Sequence, residues 1–432
     1  MQDMLQKFIP YVVKFSNLKI IKTLKSGFIR TVPLTLIGSI FLLIACFPVE
    51  GFTNFMASTF GTNWNAPLFQ VVGGTFNILA VFAAFTLAYE YCNDEEIDGV
   101  PAGLFGIAGL IIMTKGVNID GQNLLPNVWL GGQGLIAAVI CGLISGSIYT
   151  WFIKKDIRIK LPESVPPAVA NSFSALIPGF VILVTFMVVH IVIYGLTGMY
   201  VTEAIYKWLQ IPLQNLTDTL PGIIVVAILI SLFWWCGIHG DAIILSILSP
   251  ILTSNMLANQ QVLDSGQALV AGTNAHIITD QFTLFLKAGG AGATIGLVIC
   301  MVLFAKSKQM KQLGKLAIGP SFFNINEPII FGTPIIYNPI MLIPFILVPT
   351  ICVTIGYFAI STGLVPCFGG ATVPWTMPTI LSGLLIGGWK MALLQAFLVV
   401  LSVFIYMPFF KMQDKMILEQ ENEFQEEPVE VE

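Results

Sequence analysis

The chain has 432 residues, 56% hydrophobic and only 10% charged, with a formal net charge of -4 at pH 7. An ordinary soluble domain carries about 25% charged residues, so a chain this long and this poor in charge could not cover a surface facing water. That excludes a soluble globular enzyme, a nucleic-acid binder and a disordered scaffold, and the 39 Gly and 24 Pro fit a polytopic helical membrane protein.

Residues 1–30 intersperse Lys7, Lys14, Lys19, Lys22, Lys25 and Arg30 with Phe8, Tyr11, Val12, Phe15 and Leu18. They lack a compact apolar core followed by a small-residue cleavage site, so no cleavable signal is expected. The pattern reads as an amphipathic segment on an anionic inner leaflet, or a partner-binding arm. A crossing helix needs about 20 mostly apolar residues. The apolar runs predict ten spans, at 31–49, 73–91, 99–114, 131–153, 173–198, 219–236, 242–263, 288–305, 340–360 and 379–409.

Sixteen of the 20 Lys and Arg fall at 7–30, 154–160, 306–315 and Lys411/Lys415. Cytoplasmic loops carry the excess of Lys and Arg, which places all four groups and both termini in the cytoplasm and agrees with ten crossings. Two segments fit no crossing. Residues 264–287 hold Asp264, Asp280 and Lys287, and 316–339 are interrupted by Pro320, Pro328, Pro334 and Pro339. Both are expected as re-entrant hairpins, since irregular backbone at membrane depth must be buried in protein or line a wet cavity, where transporters build substrate sites. Residues 200–218 read as an interfacial linker helix. It joins a half at 31–199 to a substrate-binding half at 219–410, and an acidic tail follows at 411–432. The expected architecture is all-α, with about ten transmembrane helices, two re-entrant hairpins and interfacial amphipathic helices.

Glu327 is the only charge between Lys315 and Lys390. An intramembrane carboxylate faces a cavity or a partner rather than lipid. With Asn326 it offers the donors and acceptors that sugar hydroxyls need; the plainer alternative is a carboxylate satisfying hairpin amides. His239, in Phe233-Trp234-Trp235-Cys236-Gly237-Ile238-His239-Gly240-Asp241, suits a polar group beside a stacking platform. It equally suits a helix-end histidine bonded to a carbonyl. Trp234, Trp235 and Trp375 could stack on sugar faces, although most membrane tryptophans are interfacial anchors. Thr75 and Asn77, in Gly73-Gly74-Thr75-Phe76-Asn77, suit either ligand binding or helix packing. His190 reads as a packing residue, and His276 as either kind. No zinc site is expected from three histidines without ligand spacing, and no cofactor. The seven cysteines are scattered without a C-x-x-C pair and read as small buried hydrophobes. Gly289-Gly290-Ala291-Gly292-Ala293-Thr294-Ile295-Gly296 imitates a dinucleotide loop, but that reading needs a preceding strand. Opening a membrane helix, the run fits close helix packing instead.

Three stretches together, Trp235-Cys236-Gly237-Ile238-His239-Gly240, Gly289–Gly296 and Asn326-Glu327-Pro328-Ile329-Ile330-Phe331-Gly332, resemble the membrane IIC component of the bacterial phosphotransferase system, in its lactose/cellobiose/N,N'-diacetylchitobiose branch. The resemblance covers most of the chain and is strongest over about 220–388. It implies a multi-pass protein of the bacterial plasma membrane and a homodimer packed through the amino-terminal halves. It also implies a β-linked disaccharide enclosed by two hairpins in each carboxyl-terminal half, with His239 and Glu327 binding the sugar's C6 hydroxyl. Phosphate would arrive there from a phosphocysteine on a separate IIB protein, itself served by IIA. On that reading the chain is a transport subunit and not an enzyme by itself. Trp234, Gly240, Asn326 and Trp375 carry over as substrate-binding residues, and Thr75 and Asn77 stand as amino-terminal candidates. No IIA or IIB domain is seen in the sequence, which points away from the fused lactose type. The rival expectation is a proton-coupled sugar symporter with Glu327 as the proton carrier.

Overall fold

The computed structural model describes residues 14, 17–45, 50–119, 121–162, 165–333 and 335–426. Most of the amphipathic stretch before Leu18, together with Cys46, Pro334 and the last six residues, lies outside them. The chain divides into two compact units, Met1–Thr217 with Leu245–Ser265, and Asp218–Ile244 with Gly266–Glu432.

In the first unit a helix at Lys19–Ala45 is followed by Glu50–Phe60 and Ala66–Gly73. A short turn at Phe76–Ile78 then leads into Leu79–Asn93. Val100–Met113, Leu135–Lys154 and Leu176–Thr197 complete its main helices. Strands Val117–Ile119 and Gln122–Leu124 form an antiparallel pair with Val117 opposite Leu124.

Leu79–Asn93 is the centre of this unit because half of its buried residues are alanine: Ala80, Ala83, Ala84 and Ala88 are fully buried. Small residues let neighbouring helices approach closely, the main source of helix association where lipid removes the hydrophobic driving force. A Cβ on Gly106 would lie 2.7 Å from the Ala84 carbonyl oxygen, and one on Gly142 2.8 Å from the Leu87 Cβ. Because the Gly106 neighbour is backbone, Gly106→Leu is expected to lower the melting temperature in detergent more than Gly319→Leu, at a site with open space beside the glycine. Equal losses would contradict the packing account.

Charge also binds this unit. Lys19 Nζ donates to Glu95 Oε1 at 2.6 Å, Lys154 bonds the other Glu95 oxygen, and Arg30 pairs with the buried Glu90. Lys19–Ala45 runs as one helix through residue 31, and on it Lys19 and Arg30 meet carboxylates of the turn after Leu79–Asn93 and of that helix. The hydrogen bonds from Lys154 and Lys19 hold the Glu95 carboxyl down from 4.5 to about 2. A depressed folded-state value means that this stabilisation is present above about pH 4.5 and is lost as pH falls towards 2. Glu95→Gln should thus flatten the acid limb of a melting-temperature profile over that window; an unchanged limb would count against the triad.

Within the second unit, the Thr219 hydroxyl accepts from Gly222 N at 3.2 Å and caps the helix Leu220–Trp235. Asp218 accepts from Ile277 N at 3.0 Å and Ile278 N at 2.7 Å, and its other oxygen lies 2.8 Å from His276 Nδ1. His276 and the two amides thus meet at Asp218, which fastens the loop at 276–278. Pro339–Ser361 and the 48-residue Thr379–Glu426 complete the scaffold, the latter kinked at Gly388 where φ is 71°.

A helix covers most of the described part of each of the ten expected apolar segments. Among the described residues seven helices are long and apolar enough to cross a membrane, or nine when two bent pairs each count as one span. The pairs are Val201–Thr217 with Leu220–Trp235, bent by 79°, and Gln281–Ala293 with Ile295–Phe304, bent by 41°. The remaining segment, Val100–Met113, has 14 residues. Other boundaries move as well. Leu245–Ser265 groups with the first unit rather than with the substrate half, and 411–426 continue the last helix instead of forming a separate tail. Cys92, Cys141, Cys236, Cys300 and Cys352 are buried, and with Cys367 none of them is in a disulfide.

Candidate functional site

His239 sits where Leu220–Trp235 runs out. Gly237 N bonds Trp234 O at 2.9 Å and Ile238 N bonds Phe233 O at 2.9 Å, a closing turn that needs the positive φ of 78° at Gly237. Gly240 then starts the next helix so close to the last that a Cβ would strike the Ile230 carbonyl oxygen. Gly240 is therefore where two helix backbones touch, which accounts for a glycine there without a ligand. His239 is exposed, and its Nδ1 accepts from Ala242 N at 3.2 Å. An accepting Nδ1 puts the proton of the neutral ring on Nε2. The ring lies 4.3 Å from the Trp234 ring, centroid to centroid. Trp234 is buried, and its Nε1 donates to Asp241 Oδ2 at 2.8 Å. The other Asp241 oxygen faces Lys287 Nζ at 3.5 Å, with both side chains largely buried. One cluster thus contains the indole, the imidazole and an ion pair.

The second hairpin is a helix at Lys308–Phe322, a turn, and a short helix at Glu327–Gly332. Its first arm starts at Lys308 instead of 316, because the arm is a polar helix capped by Ser307 rather than an apolar segment. Asp414 accepts from Lys306 N, Ser307 N and the Ser307 hydroxyl, and Glu421 from Lys308 N and Gln309 N, so the last helix anchors this arm.

Two asparagines lock the tip. Asn324 has a positive φ of 61°, which Asn tolerates better than most residues. Its Oδ1 accepts from Gly289 N at 2.9 Å and from the Thr379 hydroxyl at 3.2 Å. Its Nδ2 donates to Trp375 O and Met377 O, each at 2.8 Å. Asn326 is buried, and its Nδ2 donates to Ala291 O at 2.6 Å and Thr294 Oγ1 at 2.8 Å. Both Asn326 amide protons are thereby used on the protein. These two bonds hold the hairpin, and the donors that the sequence suggests for sugar hydroxyls are engaged within it. Gly290, with φ of 101°, lets the backbone pass against that side chain. Next to this fixed residue, Glu327 is exposed.

The two elements are fastened to each other within the second unit. Tyr337 N bonds Trp235 O at 3.1 Å, the Tyr337 hydroxyl donates to Cys236 O at 2.9 Å, and Trp235 Nε1 donates to Asn338 O at 2.8 Å. Lys287 adds a link, since its carbonyl accepts from Gly290 N at 2.8 Å while its ammonium meets Asp241. Trp375 is 53% exposed, on a backbone tied to Asn324. Thr75 and Asn77 belong to the first unit. Thr75 is buried, donates to Val71 O at 2.9 Å and abuts Gly38, which is the packing alternative, whereas Asn77 is exposed. Asn324, Asp241 and Lys287 were missed as site-building residues. Lys287 carried a usable signal, being the only Lys or Arg between Lys207 and Lys306.

The profile of the family described as "Phosphotransferase system, EIIC" matches residues 25–349. The chain is 38% identical to the lichenan permease IIC component of Bacillus subtilis (strain 168), over 97% of this chain and 95% of that one. It is 37% identical to the cellobiose-specific EIIC component of Geobacillus stearothermophilus, over 95% and 93% respectively. The crystal structure of the transporter ChbC, the IIC component of an N,N'-diacetylchitobiose-specific phosphotransferase system, superposes with a TM-score of 0.91. That chain is 38% identical, and the match covers 97% of this chain and 99% of ChbC.

Proposed function

Because the chain belongs to the phosphotransferase system EIIC family, multi-pass sugar permease subunits that work with IIA and IIB proteins and are not themselves the phosphoryl-transfer catalysts, we propose that it carries a β-linked disaccharide inward and presents it for phosphorylation at C6. The relatives named for lichenan, cellobiose and diacetylchitobiose support that substrate class. The observation that carries the reading is an exposed Glu327, alone in charge between Lys315 and Lys390, on a hairpin clamped by Asn324 and Asn326.

In this mechanism the sugar C6 oxygen attacks the phosphorus of a phosphocysteine on IIB. Glu327 takes the hydroxyl proton, the Nε2 proton of His239 holds the oxygen, and the cysteine leaves as thiolate. Fixing the acceptor oxygen in line supplies positioning, and the carboxylate supplies general-base help. Trp234 backs the imidazole, and the exposed Trp375 ring offers a face to the sugar. The added phosphate charge disfavours return of the product through a site made for a neutral sugar. We further propose that the protein is a homodimer through its first unit, with both termini in the cytoplasm of a bacterial cell.

The test is uptake of labelled cellobiose and diacetylchitobiose into vesicles with and without phosphorylated IIB. Accumulation of sugar 6-phosphate only with IIB is expected. Accumulation of free sugar driven by a proton gradient would overturn the reading in favour of symport.

A further inference from the structure

Lys287 is held beside the imidazole cluster by Asp241. It is the only cation between Lys207 and Lys306. Its side chain is 16% exposed and that of Asp241 is 14% exposed, so both charges are substantially removed from water. Burying an ion pair is costly, and it persists where the geometry or the chemistry uses it. The geometry here is loose: 3.5 Å between Lys287 Nζ and Asp241 Oδ1, against about 2.7–2.9 Å for a tight charge-assisted hydrogen bond. Asp241 spends its other oxygen on Trp234, the indole that packs on His239. The backbone of Lys287 runs into Gly289, which bonds Asn324, and on to Ala291 and Thr294, which bond Asn326 beside Glu327. The ammonium therefore stands on the segment that joins the imidazole element to the carboxylate element.

We infer that Lys287, positioned by Asp241, is the cation that stabilises the phosphoryl group during its transfer to the sugar. This rests on the functional reading above. Phosphoryl transfer relies on positioning and on positive charge at the equatorial oxygens. A loosely paired ammonium shifts towards an arriving phosphoryl group without breaking a strong bond, and Asp241 receives it again when the sugar phosphate leaves. Lys287 forms no covalent bond. The phosphorus–sulfur bond of IIB breaks, the phosphorus–oxygen bond at C6 forms, and the proton goes to Glu327.

The experiment measures equilibrium disaccharide binding and IIB-dependent sugar phosphorylation on full-length protein in lipid vesicles. Lys287→Met is expected to keep disaccharide affinity and lose about 100-fold in phosphorylation rate, the scale of removing one preorganised charge-stabilising donor. Lys287→Arg should recover most of that rate. A Lys287→Met rate equal to wild type overturns the inference. So does loss of binding in parallel with rate, since that assigns Lys287 a purely structural role. A wild-type protein that makes no sugar phosphate with IIA and IIB defeats the functional reading itself, whereas the other outcomes leave that reading standing.

Discussion

Glu327→Gln is expected to reduce IIB-dependent phosphorylation by about 10²–10⁴-fold, the range of a positioned general base, while disaccharide binding is retained. Glutamine keeps the size and hydrogen-bonding capacity of the side chain but cannot take up the hydroxyl proton. The hairpin should not change, because the residues that hold it are Asn324 and Asn326, and Glu327 is exposed beside them. His239→Ala should fall in the same direction, since its Nε2 proton steers the attacking oxygen. Parallel measurements of binding and of sugar phosphate formation separate the two roles. Phosphorylation at the wild-type rate in Glu327→Gln would remove the carboxylate from the mechanism.

The second large effect is expected at Asn324, with a different signature. Asn324→Ala unties Gly289 N, the Thr379 hydroxyl, and the Trp375 and Met377 carbonyls at once. Each buried polar group left without a partner costs roughly 1–3 kcal/mol. Alanine also fits a φ of 61° poorly. Three elements depend on this one amide: the glycine loop after Lys287, the hairpin tip and the loop carrying Trp375. Disaccharide binding, phosphorylation and melting temperature should therefore all fall together. Asn324→Gly relieves the backbone but restores none of the bonds, so it should recover only part of the stability. A variant that melts normally and binds sugar normally would show that the clamp is dispensable.

These two residues also mark how far the sequence could be read. Glu327 was legible because an isolated charge in a long apolar stretch is conspicuous, and His239 because it breaks a helix beside a tryptophan pair. The apolar segments were legible from hydropathy. What sequence could not convey was pairing. Lys19 and Arg30 read as interfacial because their partners, Glu95 and Glu90, lie about sixty or more residues away in the chain. Asn326 read as a sugar donor because nothing in its neighbourhood predicts that Ala291 and Thr294 consume its amide protons. Asn324 passed unnoticed for the same reason. Its importance comes from a positive φ and from four partners on three other segments.

The most direct test of the central claim compares binding of cellobiose with that of its analogue lacking the C6 hydroxyl on the non-reducing sugar, in wild type, Glu327→Ala and His239→Ala. If the carboxylate and the imidazole meet at that hydroxyl, its removal weakens binding to wild type and matters much less in either variant. An equal loss of affinity in all three proteins would mean that neither side chain touches that oxygen, and would contradict the mechanism.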